Sequence, residues 1–357
     1  MNSTSKSEKL LFLYSELSGY FLGGIRELRN LGYEIHIVRF PVNEEAPFSL
    51  IIPEGVFLYE RSMYSYRALF LLVEKISPDF IFCSGWMDNA YVRICRSYKK
   101  KIPKVLALDN PWNGSFRQRL ACLAKPFITT IFTHVWVAGN RQKEFALKLG
   151  FKNSAIFTGV YSADTDFYSS LWNENKENKR NNFPKVFLFA GRYNKIKGLD
   201  ILLSVFQELN DEQPGWELWC AGAGELEKAI PVSKQIKNLG FLQTSEWKQV
   251  IARAGVFVLP SRAEPWGVAV HEFAAAGFPL ICSDEVGANE LFLVHEKNGC
   301  VFKSTERESL KKCFLKIILT DTNKLYEMGE QSHVLAMKYT YSNWINTIDN
   351  ILTGKQG

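Results

Sequence analysis

Short apolar runs, each followed by a stretch with helical spacing, restrict the fold of this chain more than any other feature. They stand at residues 10–13 (LLFL), 34–38 (EIHIV), 80–83 (FIFC), 105–108 (VLAL) and 134–137 (HVWV), and again at 187–189 (FLF), 216–220 (WELWC) and 256–259 (VFVL). The unbroken ones, such as 10–13, 80–83 and 256–259, suit a strand covered on both faces, which is the situation in a parallel sheet flanked by helices, and the others are strand candidates by their apolar content. Alternation of such strands with helices predicts an α/β class with crossover connections. At 357 residues the chain is too long for one comfortable core, so two domains are expected. A hydrophobic content of 46% with 22% charge is that of a folded protein, and no apolar run approaches the length of a bilayer span.

The run 256–259 leads through Pro260 into SRAEPWGVAVHE (261–272), which places Glu264 in a loop and Glu272 on the helix that begins near Gly267. Val268, Phe273, Ala275 and Ala276 can face a sheet, and Gly277 followed by Pro279 supplies the helix stop. Amides near Trp266, Gly267 and Val268, after Pro265, open the helix without intrahelical acceptors and form a positively polarised end suited to a phosphate. Each carboxylate offers two acceptor oxygens, matching the paired hydroxyls of a ribose or a hexose. Taken alone, two glutamates at this spacing read as a loop charge and a solvated helix face; the surrounding motifs favour the ligand-binding reading.

A second motif, FLFAGRYNKIKGLDILLSVFQEL (187–209), has a strand end, a tight turn at Ala190 and Gly191, and a helix with Leu199, Leu202, Leu203 and Phe206 as its apolar stripe. The loop between holds Arg192, Lys195 and Lys197, where a guanidinium can fork onto phosphate oxygens and an ammonium can act as a point charge. Gly222 and Gly224 in CAGAGE follow the run 216–220, either as a plain strand-to-helix turn or as a place where backbone approaches a ligand.

Together these segments resemble the donor half of retaining glycosyltransferases of family 4. The likeness continues through NLGFLQTSEWKQVIARAG (238–255) and VGANE (286–290) to a C-terminal YSNW, covering most of 184–350. It implies a GT-B fold, with two Rossmann-like doubly wound parallel-sheet domains facing a central cleft. The expected boundaries are an acceptor-binding domain over 1–165, a linker over 166–183, a nucleotide-sugar domain over 184–340, and a helix at 341–357 returning to the N-terminal domain. By the same resemblance Arg192 and Lys197, the lysine of the family's K-G pair with Gly198, stabilise the departing diphosphate. Glu264 holds the sugar hydroxyls and Glu272 the ribose. Gly19, Gly222, Gly224, Phe241, Pro265, Trp266, Gly267, Val268 and Gly287 complete the donor contacts, the glycine at 287 letting amides reach the diphosphate. Ser18, Gly19, Tyr20, Gly23 and Gly24 resemble the glycine-rich loop of the opposite wall. Where many members carry a histidine, VLALDNPWNG (105–114) has Asp109, expected to contact acceptor or donor sugar.

The implied activity is transfer of a hexose-type sugar from a nucleoside diphosphate, UDP rather than GDP, to a glycan or lipid-linked acceptor with retention of configuration. A nucleotide-sugar epimerase of the same fold and a non-catalytic donor-binding subunit are the alternatives. Asp164, Thr165 and Asp166 spell D-x-D, a metal-binding signature in another glycosyltransferase fold, but they fall in the hinge, and the phosphates already have cations and a helix end. No metal or other cofactor is therefore expected. His36, His134, His271 and His295 are scattered, and His271 is expected to pack structurally.

Residues 1–180 carry 24 Lys plus Arg against 17 Asp plus Glu, while the remainder carries 19 against 20. The excess concentrates in RICRSYKKKIPK (93–104) and FRQRLACLAKPF (116–127), patterns that suit an anionic membrane surface as well as solvated helices. No nucleic-acid signature accompanies the charge. MNSTSKSEK lacks the make-up of a secretory signal, which places the expected site of action in the cytoplasm, at the inner membrane face if the basic surface is used. The seven cysteines have no metal-like spacing and read as reduced core residues.

Overall fold

The computed structural model describes residues 7–41, 50–212 and 215–355. These divide into two units, one of residues 7–41, 50–162 and 341–355, the other of residues 163–212 and 215–340.

The first unit runs β1 (Lys9–Leu13), α1 (Gly19–Asn30), β2 (Glu34–Arg39), β3 (Phe57–Glu60), α2 (Tyr66–Ile76), β4 (Phe80–Cys83), α3 (Asn89–Ser97), β5 (Lys104–Leu108), α4 (Phe116–Leu123), α5 (Lys125–Ile131), β6 (His134–Val137), α6 (Asn140–Lys148) and β7 (Ile156–Thr158). Its seven strands lie in the order β3-β2-β1-β4-β5-β6-β7, all parallel. The chain reverses its direction of travel across the sheet between β1 and β4, the arrangement of a doubly wound sheet. The central run Leu10 to Leu13 has no solvent exposure, as expected of a strand covered on both faces.

The second unit runs α7 (Thr165–Asn181), β8 (Val186–Ala190), α8 (Leu199–Glu212), β9 (Glu217–Ala221), β10 (Ile236–Gly240), α9 (Trp247–Arg253), β11 (Val256–Leu259), α10 (Val268–Ala275), β12 (Leu280–Ser283), α11 (Asn289–Phe292), β13 (Gly299–Phe302), α12 (Arg307–Ile318) and α13 (Thr322–Ala336). Six parallel strands lie in the order β10-β9-β8-β11-β12-β13, with β8 and β11 at the reversal.

The last helix, α14 (Tyr341–Leu352), belongs to the first unit. Trp344 enters an aromatic cluster with Phe12, Phe21 and Trp136, and its indole N–H donates to the carbonyl of Val160 at 3.0 Å. Tyr341 donates to the carbonyl of Tyr20 at 2.8 Å. Gly23 and Gly24 lie inside α1 and face this helix; a Cβ on Gly23 would stand 2.1 Å from the Tyr341 hydroxyl. These two glycines thus serve helix packing, not the phosphate-approaching loop expected of them.

Two further expectations are corrected. The stretch 166–183, expected to be a linker, is largely α7. Asp164 caps it, accepting from the amide of Phe167 at 3.1 Å, and Tyr168, Leu171, Trp172 and Lys179 share its buried side. The exposed side supplies the polar residues that mask this periodicity. Cys300 of β13 and Cys313 of α12, expected to be reduced, form a disulfide between Cα atoms 5.8 Å apart. Cys83, Cys95, Cys122, Cys220 and Cys282 are free.

Candidate functional site

The second unit brings two loops together at the C-terminal ends of β8 and β11, the place where ligands bind in open α/β sheets. The first loop, 191–198, is held from below by Tyr193, which is fully buried and donates its hydroxyl to the carbonyl of Cys220 at 2.7 Å. Asn194 accepts from the Lys197 amide at 2.8 Å. Gly198 has φ 75°, and a Cβ there would lie 2.0 Å from the carbonyl oxygen of Pro260, so only glycine lets this loop cross the next one. Arg262 completes the clamp. Its amide donates to the carbonyl of Ile196 at 2.7 Å, and its guanidinium takes both oxygens of Asp200 at 2.6 and 3.0 Å.

At the centre of this junction the Lys197 ammonium donates to the Glu264 carboxylate, with both side chains largely buried. Ser261 donates to the same carboxylate at 3.3 Å. The Glu264 carbonyl accepts from the amide of Gly287 at 3.1 Å, and Glu264 bridges in parallel to Val286, so the backbone under the carboxylate is fixed. Arg192 and Lys195 are exposed on the first loop. The Lys195 carbonyl receives the amide of Gly198 and the Arg262 guanidinium, which gives that residue a part in loop architecture.

Beyond Glu264, Pro265 and Gly267 are partly open, Trp266 is buried, and Val268 begins α10. The first amides of that helix have no intrahelical acceptor. One turn further, Glu272 is ringed by protein while part of its surface still reaches solvent. Desolvation raises its pKa to about 7, offset in part by a hydrogen bond from Tyr168 and reinforced by the nearby Asp164. His271 points the other way. It accepts from the amide of Ala163 through Nδ1 at 3.1 Å, meets the carbonyl of Ala336 through Nε2 at 3.1 Å and stacks on Phe292, so it packs structurally, as expected. Burial lowers its pKa to about 4.

Three expected donor contacts have a visible packing task. A Cβ on Gly222 would come within 2.0 Å of the Gly191 carbonyl, and one on Gly224 within 2.7 Å of the Tyr193 carbonyl, so both let the 221–224 turn lie against the first loop. In the turn where Gly287 was expected to let amides reach a diphosphate, the Gly287 amide is already given to the Glu264 carbonyl and the next amide, of Ala288, to the Trp266 carbonyl. Phe241 is half-buried just after β10. Asp164 of the D-x-D sequence is the helix cap already described.

In the first unit, Asp109 follows β5. Its carboxylate accepts from the Tyr161 hydroxyl at 3.2 Å and from Asn110 at 3.1 Å, and its carbonyl from Gln142 at 2.9 Å. Burial, together with Asp109, Tyr20 and Tyr14, pushes the Tyr161 pKa up, so it stays a neutral donor. Gly19 opens α1 after the cap residue Ser18, with open space where a Cβ would stand. Tyr168 and the Arg262–Asp200 pair carry no local signal in the sequence, since their partners come from distant segments. Ser261 and Asn194 bond three residues along their own loops, a short-range contact that residue identity alone does not single out.

The sequence of the second unit carries a family match. Residues 171–333 match the family model described as glycosyl transferases group 1. An uncharacterized glycosyltransferase of Methanocaldococcus jannaschii is 29% identical over 159 residues, 42% of this chain and 40% of that protein. The aligned region spans less than half the length of the first curated relatives it matches. Over 98% of this chain and 99% of its own, sucrose-phosphate synthase of Thermosynechococcus elongatus superposes with a TM-score of 0.74 at 13% identity. Anabaena HepE, solved with UDP and glucose, superposes with a TM-score of 0.71 at 17% identity over 97% of this chain and 99% of its own. The fold is GT-B, with two parallel-sheet α/β domains. Among the described residues no helix is long and apolar enough to cross a membrane.

Proposed function

We propose that the protein is a retaining hexosyltransferase that takes a nucleoside diphosphate sugar, UDP-linked in preference to GDP-linked, and transfers the sugar to a hydroxyl of a glycan or lipid-linked acceptor. The observation that carries this reading is the Lys197–Glu264 pair, which ties the loops after β8 and β11 together beside the opening of α10. The family match over the same unit and the UDP and glucose held by a protein of the same fold support it.

In the resting arrangement Glu264 satisfies Lys197 much as a phosphate would. An arriving diphosphate competes for the ammonium and, with Arg192 and the helix-end amides, gathers charge at the leaving group. Glu264 is thereby released to accept from sugar hydroxyls. Electrostatic stabilisation of a departing diphosphate lowers the barrier to an oxocarbenium-like sugar, and the cations supply it without a divalent ion. Glu272, ionised, accepts from the ribose hydroxyls, and Asp109 contacts acceptor or sugar.

The test is release of nucleoside diphosphate from a panel of UDP- and GDP-sugars with candidate acceptors, in buffer containing EDTA. Lys197→Ala is expected to lower kcat by about a hundredfold or more. Unchanged turnover in that variant, or transfer that depends on added metal, contradicts the reading. Conversion of the nucleotide sugar with no acceptor present would instead indicate an epimerase.

A further inference from the structure

Helix α4 buries none of its eight residues. Along it Phe116, Leu120 and Leu123 are 74%, 48% and 78% exposed, and Phe127 at the start of α5 is 44% exposed. Steps of four and three residues put Phe116, Leu120 and Leu123 on one side of α4, so the helix presents an apolar stripe to solvent. A helix this short gains little from its own hydrogen bonds and ordinarily depends on burying such a stripe.

The charge around the stripe is of one sign. From residue 89 to residue 143 the chain has eleven Lys plus Arg and one acid, Asp109: six cations lie between 93 and 104, three at 117, 119 and 125, and two at 141 and 143. Arg96 of α3 lies over the Phe127 ring at 4.9 Å, which brings that guanidinium beside the start of α5, while Arg93 lies over Tyr66 of α2. Arg93, Arg96, Arg117, Arg119 and Lys125 are exposed.

We propose that α4 and the start of α5 form a docking surface for an anionic lipid bilayer. Phe116, Leu120, Leu123 and Phe127 enter the boundary between headgroups and acyl chains, and Arg96, Arg117, Arg119 and Lys125 meet lipid phosphates. A protein partner would account for the apolar stripe alone, and a soluble polyanion for the cations alone. Apolar residues flanked by cations, with no acid among them, match the membrane interface. Each basic residue near such a surface adds attraction, and each inserted side chain adds apolar burial, so both sets are needed. The inference does not depend on sugar transfer.

Co-sedimentation of the full chain with phosphatidylcholine vesicles, with and without phosphatidylglycerol, tests it. The protein is expected to partition onto the mixed vesicles and not onto phosphatidylcholine alone. Phe116→Ser, Leu120→Ser and Leu123→Ser combined should weaken that partition at least about tenfold, as should Arg117→Glu, Arg119→Glu and Lys125→Glu combined. Both variants should keep the parental Tm, because the substituted side chains are exposed and the α4 residues packed against the core, Ala121 and Cys122, are left in place. Absence of binding to mixed vesicles overturns the proposal, as does undiminished binding by the serine variant, which would leave only non-specific charge attraction. A dimer in sedimentation velocity that the serine variant dissociates would assign the stripe to a second copy of the chain instead.

Discussion

Glu272 is half-buried and Lys179 fully buried in the second unit, but only Glu272 lies next to a site. Desolvation holds the Glu272 pKa at about 7, above its ordinary value, so the carboxyl is half protonated near neutrality. If ribose hydroxyls donate to the ionised form, UDP affinity should rise with pH and level off above about 7, with roughly tenfold weaker binding near pH 6 than near pH 8. Calorimetric titrations at several pH values on the parent and on Glu272→Gln isolate this contribution from the phosphates' own titration; the same pH slope in both proteins would remove Glu272 from the ribose. Lys179 has no hydrogen-bond partner at its ammonium, which lies 3.9 Å from the centre of the Phe278 ring. Burial lowers its pKa to about 7. A lysine with a depressed folded pKa binds fewer protons folded than unfolded between about 7 and its ordinary 10.5, so its contribution to stability increases as pH rises through that window. Lys179→Met keeps the apolar stem and deletes the charge. It should stabilise the protein near pH 7 by about 4 kcal/mol and flatten the rise in stability towards alkaline pH, as read by urea denaturation at neutral and alkaline pH.

At the scale of elements, α7 shows why part of the fold was hidden in the sequence. Strands covered on both faces announce themselves: residues 80–83 and 134–137 are strands with the bounds read from their apolar runs. β3 did not, because it is an edge strand with Phe57 and Glu60 exposed and no continuous apolar run. The buried side of α7 is a sparse stripe among Asn, Glu and Lys, and such a composition reads as a linker in sequence. Yet Trp172 is 4% exposed, stacks on Tyr326 of α13 and lies against Gly277, where a Cβ would meet its ring at 2.1 Å. Trp172→Ala should therefore cost about 3–5 kcal/mol, measurable as a lower urea midpoint; a loss under about 1 kcal/mol would show that α7 is a tether after all. The candidate site was legible in residue identity and less so in partnership. Arg192, Lys197, Glu264 and Glu272 stand out by their place in motifs that resemble the family's, but the direct pairing of Lys197 with Glu264 spans 67 residues, and nothing local encodes it. Likewise the glycines at 222, 224 and 287 are visible in sequence, while their tight backbone contacts arise from loops that meet only in the folded unit.

For the whole molecule, the first unit is built from both ends of the described chain. Tyr341, Trp344, Ile345, Ile348 and Ile351 of α14 are buried, with Trp344 against β1, α1 and β6. Removing residues 341–357 should uncover Phe12, Phe21 and Trp136 together. Limited proteolysis of the truncated chain is expected to digest the first unit and spare a fragment beginning near residue 163; a protected first unit would show that α14 only decorates it. During synthesis this connectivity sets an order of events. The seven-stranded sheet is translated first but waits for Trp344 to leave the ribosome, whereas the second unit has all of its own strands and helices in hand beforehand. The later-made half can thus mature ahead of the earlier-made one, and the half left waiting, with an aromatic cluster still open, is the one a chaperone would meet.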